Sequence, residues 1–172
     1  VDVLLGPEMK STGEVMGIDK DFGLAYAKSQ ISAGNSLPTR GLAFISLKDK
    51  HKNEGIDLAK KLVELNFTLC GTEGTADAIK KNGIKCKKVN KVSGGSPHIV
   101  DILNAKKIAL VINTGGGKRA YRVQDSTSLR RATLINKVPY CTNMSTAYAC
   151  LEGIKSLKSK KMNVIAIQNI FH

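Results

Sequence analysis

From Gly41 onward, short apolar runs of strand length alternate with stretches of helical periodicity, and no other feature constrains the fold as much. Gly41-Leu42-Ala43-Phe44-Ile45-Ser46-Leu47 reads as a buried strand. Ile56, Leu58, Ala59, Leu62 and Val63 then recur at helical spacing between about Asn53 and Leu65. Phe67–Gly71 is a second strand and Glu73–Lys81 a helix; Cys86–Asn90 is a short third strand and Pro97–Asn104 a helical turn or short helix. Ile108–Asn113 is the most apolar strand. Asp125–Asn136 follows as a helix with Asp125 or Ser126 as its cap, then Val138–Thr142 as a strand, Ser145–Leu157 as a helix and Met162–Gln168 as a last strand. Strands that lack a polar alternate face must be covered on both sides. The expected class is therefore α/β: three layers, with a mostly parallel five-stranded sheet between helices, Rossmann-like.

The first forty residues have a different texture. Residues 1–17 are loop-like and rich in glycine, acids and hydroxyls, with no initiator Met, signal peptide or helix-start signal before them. Asp19 or Asp21 can cap a helix to about Ala33, which Gly34-Asn35-Ser36 would end; Leu37-Pro38-Thr39-Arg40 reads as a linker. The expected division is an appendage over 1–39 and a domain over 40–172.

The net charge of +13 raises a nucleic-acid reading. Two features weigh against it. Of the 27 basic residues 22 are Lys and 5 Arg, whereas base readout favours Arg. With four Tyr, four Phe and no Trp, basic residues are not interleaved with a stacking platform. Solvated lysine faces and small anionic ligands account for the charge better. Apolar runs such as Ile108–Ile112 are far too short to span a bilayer, so no membrane partner is expected. The four cysteines show no Cys-x-x-Cys spacing, which argues for small core residues in a reducing cytoplasm and against zinc or a disulfide framework.

In parallel sheets ligands bind beyond the carboxyl ends of the strands, beside helix N-termini. Those ends carry Lys48, Lys50 and Lys52, then Thr72-Glu73-Gly74-Thr75, then Asn90-Lys91-Val92, then Asn113-Thr114-Gly115-Gly116-Gly117-Lys118-Arg119. Hydroxyls, backbone N–H groups and ammonium groups brought to one sheet edge make a phosphate site, and glycines let the backbone approach an anion closely. Each motif alone has a plainer reading, as a flexible turn or a capping turn. Their order after successive strands points to a site. No Ser/His/Asp or Cys/His constellation is visible, and neither a catalytic nor a metal-binding group is assigned. His98 reads as a cap near the pocket rim.

This order of motifs resembles the methylglyoxal-synthase-like domain family over about residues 40–170. In methylglyoxal synthase itself, a catalytic Asp follows a Gly-Gly pair in the loop after the third strand. Here that loop reads Val92-Ser93-Gly94-Gly95-Ser96-Pro97-His98, with Ser and Pro where the acid would stand. Asn90-Lys91-Val92…Pro97-His98-Ile99…Asp101 instead resembles the regulatory domain of carbamoyl phosphate synthetase large subunits. Leu5-Gly6-Pro7-Glu8-Met9-Lys10-Ser11-Thr12-Gly13-Glu14 likewise resembles the run that closes the second ATP-grasp domain of those proteins.

The resemblance implies an allosteric domain within an ATP-dependent ligase that makes carbamoyl phosphate from bicarbonate, glutamine-derived ammonia and two ATP, for arginine and pyrimidine synthesis. It implies a nucleotide monophosphate effector, UMP or IMP, at Lys52, Thr72, Gly74, Thr75, Lys91, Asn113, Thr114, Arg130 and Arg131. Thr72, Gly74, Thr75 and Lys91 would hold the phosphate; Asn113 and Thr114 would face the ribose or base. Asp125 matches a pocket acid. Tyr140 and Thr142 match positions that contact a second effector, ornithine, whose acidic partners would lie upstream of Val1. No cofactor is implied in this fragment; ATP and Mg2+ or Mn2+ belong to the rest of the ligase. The implied partners are the remainder of the large subunit and the glutaminase small subunit, with self-association through this domain left open. Two departures stand out: Gly115-Gly116 replaces the family's hydroxyl residues, and the segment between Arg119 and Arg130 is about two residues longer than the bacterial pattern. The plainer readings are a solvated helix face for Arg130-Arg131 and core packing for Tyr140. The competing functions are a stand-alone enzyme acting on a small phosphate ester and a basic nucleic-acid-binding module.

Overall fold

All five strands of the sheet run parallel, in the order Lys87–Lys88, Phe67–Gly71, Gly41–Ser46, Leu110–Asn113, Tyr140–Cys141. The computed structural model describes residues 37–115 and 120–170. The expected loop over 1–17 and the helix ending near Ala33 lie outside the described residues. Arg40–Ala147 is one compact unit, and Tyr148 onward belongs to a second.

The elements are β1 (Gly41–Ser46), α1 (Lys52–Glu64), β2 (Phe67–Gly71), α2 (Glu73–Lys81), β3 (Lys87–Lys88), α3 (Ile99–Asn104), β4 (Leu110–Asn113), α4 (Ala120–Ile135), β5 (Tyr140–Cys141) and α5 (Met144–Ile170). Single 3-10 turns at Asp49–His51 and Val92–Gly94 follow β1 and β3.

Pairing register places side chains on the two faces of the sheet. Phe44 is level with Cys70 on one side and Val111 on the other. These three share a cluster with Val89, Ile99, Leu103, Ile108, Leu129 and Ala132, which brings α3 and α4 onto that face. Ala43, level with Leu69 and Leu110, points to the opposite face. The buried stripes of α1 (Leu58, Ala59, Leu62) and α2 (Ala76, Ile79) supply its cover. The chain steps outward from β1 to β2 and β3, then returns to β4 and β5 on the other flank. This reversal puts a crevice at the carboxyl ends of β1 and β4.

Two expectations are corrected. Met162–Gln168 is helical, as the continuation of α5, and adds no strand. Its apolar run resembles a strand in composition, but Leu157–Lys161 contains no Gly or Pro to end the preceding helix. The third strand pairs over Lys87–Lys88 alone, with its flanking residues Cys86 and Val89 turned into the interior. Ser145–Leu157 lies within the longer helix α5, and Asp125–Ile135 within α4, which ends one residue before the expected Asn136.

Candidate functional site: a cleft at the carboxyl ends of the strands

The loops that follow β1, β2, β3 and β4 enclose a cleft of about 520 Å3, lined by Ser46, Lys52, Thr72, Gly74, Thr75 and Lys91 among others. That is within the size range of small-ligand sites. A narrower slot of about 40 Å3 continues from it, sharing Ser46, Thr72, Lys91 and Gly115 and adding Phe44, Ile99, Asn113, Asp125 and Leu129. It has room for a water molecule or so.

The floor is built from hydroxyls. Thr72 occupies the N-cap position of α2, yet its side chain makes no capping bond. Its hydroxyl reaches Ser46 Oγ at 3.3 Å and Thr75 Oγ1 at 3.4 Å. Thr75 Oγ1 in turn accepts the Leu47 amide at 3.0 Å, which ties the end of β1 to the first turn of α2. The first intrahelical bond of α2 runs from Ala76 N to Thr72 O at 2.8 Å, so the earlier amides of that turn project without a side-chain cap. Such a helix start favours an anion.

Gly74 leaves space for Lys52. A Cβ at Gly74 would stand 2.9 Å from Lys52 Nζ, so the missing side chain lets the ammonium approach the helix start. Lys52 also pairs with Asp49, whose side chain is 95% exposed. An ion pair so open to water is weak and easily exchanged for a ligand. Glu73, in the same turn, faces Lys88 Nζ at 3.6 Å, and Asp77 faces it at 3.1 Å. The hydrogen bond and charge of Asp77 raise the Lys88 pKa, with Glu73 adding to the effect. Lys91, at the opposite wall, has no carboxylate partner among the described residues.

The residues after β4 are disposed differently. Thr114 is buried and does not line the cleft; its Oγ1 accepts the Lys48 amide at 3.1 Å and bonds His51 Nδ1 at 3.1 Å. Asn113 lines the slot, donating to the Tyr140 hydroxyl at 3.1 Å while its Oδ1 accepts the Gly115 amide at 3.1 Å. Burial raises the Tyr140 pKa, against the opposing effects of the Asn113 hydrogen bond and the charge of Arg130. Arg130 and Arg131 are exposed on α4 and line neither cavity. Tyr140 packs against the core cluster and Thr142 is exposed; neither lines the cleft.

Thus Lys52, Thr72, Gly74, Thr75 and Lys91 converge, Asn113 stands in the adjoining slot, and Thr114, Arg130, Arg131, Tyr140 and Thr142 stand apart. Ser46 is not among the residues singled out from the sequence; its signal is a hydroxyl residue ending an apolar strand whose last four residues are buried. Sequence reasoning treats Ser93 and Gly94 only as part of a loop; both line the cleft. That loop offers no acid of its own. Ser96 Oγ donates to Asp101 at 3.0 Å, as does the His98 amide at 2.8 Å. These bonds hold the Asp101 carboxyl below its usual range, the backbone bond foremost. No group of three or more metal-ligating side chains occurs among the described residues, and no described helix is long and apolar enough to cross a membrane.

A family model described as the MGS-like domain matches residues 54–142. The chain belongs to that family. The matched span runs from α1 to the end of β5 and so contains most of the cleft. Among relatives of this MGS-like domain, the carbamoyl phosphate synthase large chain of Mesorhizobium japonicum is 47% identical over 171 residues, covering 99% of this chain and 14% of that protein. The C-terminal section of the Aquifex aeolicus large chain is 48% identical, covering 100% of this chain and 33% of that protein. The corresponding section of Methanopyrus kandleri is 47% identical, covering 99% and 31%. The chain therefore spans a third or less of these relatives. Methylglyoxal synthase from Elizabethkingia anophelis shares the fold, with a TM-score of 0.50 and 18% identity over 67% of this chain and 79% of that one.

Proposed function

We propose that this MGS-like domain is the effector-binding region of a carbamoyl phosphate synthase large chain, and that its cleft holds a nucleoside monophosphate by the phosphate. The observation that carries this reading is the meeting of an uncapped helix start at Thr72–Thr75 with two lysines, Lys52 and Lys91, across one cleft. Backbone N–H groups and ammonium charges together are a phosphate-binding set. Similarity to carbamoyl phosphate synthase large chains supports a parent that makes carbamoyl phosphate; in this reading ATP and its divalent cation bind elsewhere in that parent, and a glutaminase subunit is its partner. Occupancy of the cleft would shift the parent's conformational populations by differential affinity, worth about 1–3 kcal/mol of coupling. UMP and IMP are the effectors to try first. An ornithine site would take Tyr140 and Thr142 together with groups from the rest of the large chain.

Calorimetric titration of the protein with UMP, IMP and dihydroxyacetone phosphate tests this. Saturable binding of a nucleotide, weakened in Lys91→Ala, supports the reading. Conversion of dihydroxyacetone phosphate to methylglyoxal would replace it with a stand-alone enzyme. The loop Val92–Pro97 carries no carboxylate to abstract the proton that such chemistry needs.

A further inference from the structure

The 3-10 turn Val92–Gly94 forms one wall of the cleft, with Lys91 immediately before it and Gly95, at φ +83°, immediately after. Within the loop, Gly94 N bonds Lys91 O at 2.9 Å and Asn90 Nδ2 bonds Pro97 O at 3.2 Å. Val92 packs partly against the core cluster. Among the described residues, every hydrogen bond from this turn to another element ends on one side chain. Asp125, on α4, accepts the Ser93 amide at Oδ1 (3.0 Å) and the Ser93 hydroxyl at Oδ2 (2.7 Å). Both carboxylate oxygens are engaged by a residue 32 positions earlier in the sequence.

We infer that Asp125 is a positioning residue: by clasping Ser93 it fixes the loop that presents Lys91 to the cleft, and so sets the anion affinity without touching the phosphate. This rests on the reading of the cleft as a phosphate site. A carboxylate beside an anion site would ordinarily weaken binding by repulsion. Here its two oxygens are occupied by charge-assisted hydrogen bonds, the strong kind, and its benefit is geometric. The two effects separate by substitution. Asp125→Asn keeps an acceptor for the Ser93 amide and gains a donor for the Ser93 hydroxyl, while removing the charge. Asp125→Ala removes the clasp altogether.

The test combines amide hydrogen exchange at Ser93 with titration by inorganic phosphate and UMP, on the whole protein and its Asp125→Ala, Asp125→Asn and Ser93→Ala variants. In Asp125→Ala, Ser93 exchange is expected to accelerate and phosphate affinity to fall, each by about tenfold, the equivalent of one charge-assisted bond. Asp125→Asn should bind phosphate as well as the wild type or better. Ser93→Ala, which removes a single bond at an exposed position and leaves the core intact, should fall between them; it decides the matter if Asp125→Ala fails to fold. Wild-type affinity and unchanged Ser93 exchange in Asp125→Ala would overturn the inference, as would equal losses in Asp125→Asn and Asp125→Ala. If the wild type binds neither phosphate nor UMP while Ser93 protection still depends on Asp125, the phosphate reading fails and the clasp remains.

Discussion

The two flanks of β1 carry the same kinds of polar residue at their strand ends and use them in opposite ways. On the β2–β3 flank, the start of α2 has no side-chain cap, and Lys52 and Lys91 face into the cleft. On the β4–β5 flank, Thr114 and Asn113 bond within the protein, to Lys48, His51, Tyr140 and Gly115. A threonine or asparagine at a strand end is therefore not a ligand group by type. Thr72 and Thr75 on the other flank are bonded within the protein as well, so what that flank offers a ligand is its helix-start amides and its lysines, because a donor or acceptor already paired gains little from a ligand that must first displace that partner.

Phe44→Ala should break both flanks at once, since the ring belongs to the core cluster and also lines the slot. A loss of about 3–5 kcal/mol in unfolding free energy is expected by denaturant titration, enough to collapse the fold. Lys91→Ala should separate the flanks. Phosphate affinity is expected to fall about tenfold by calorimetry, with stability changed by less than about 0.5 kcal/mol because the side chain is exposed. Thr114→Val should give the converse: about 1–2 kcal/mol of stability lost, as the Lys48 amide and His51 lose their partner, with a smaller effect on binding than Lys91→Ala. A Thr114→Val variant of native stability that had lost phosphate binding would invert the comparison.

The smallest effect at neutral pH is a titration. Burial pushes the Cys70 thiol up to about 12 and the Cys86 thiol up to about 11, from a usual 9.0. For Cys70 the neighbouring Cys86 adds to the rise, while nearby lysines lower both. A thiol whose folded pKa is raised keeps its proton longer in the native state. Its contribution is complete below pH 9 and is lost as pH rises from 9 through the folded values. Thermal scans above pH 9 should show stability declining, and native thiols should resist alkylation until that decline begins.

Much of the scaffold is legible in the sequence. Glu73–Lys81 forms the helix that its spacing predicts, and α1 begins one residue before the expected Asn53. β1, β2 and β4 lie within their apolar runs. The last apolar run misleads because a strand and an apolar helix segment of that length share a composition. In the cleft, residues after β1, β2 and β3 could be named from the order of strand-end motifs. The Ser93–Asp125 clasp could not be, since neither residue signals the other across 32 positions.

By itself the sequence determined the alternation of buried strands and amphipathic helices, and with it a parallel sheet with polar residues gathered at one end. Periodicity is local: each run declares its own element through which side chains avoid water. Only the tertiary structure decided which polar groups stay open to a ligand. The strand order β3-β2-β1-β4-β5 sets Lys48 beside Thr114, 66 positions apart, and leaves Lys91 without an acidic partner among the described residues. Hydrogen-bond satisfaction depends on what is within about 3 Å in space, which adjacency along the sequence does not encode.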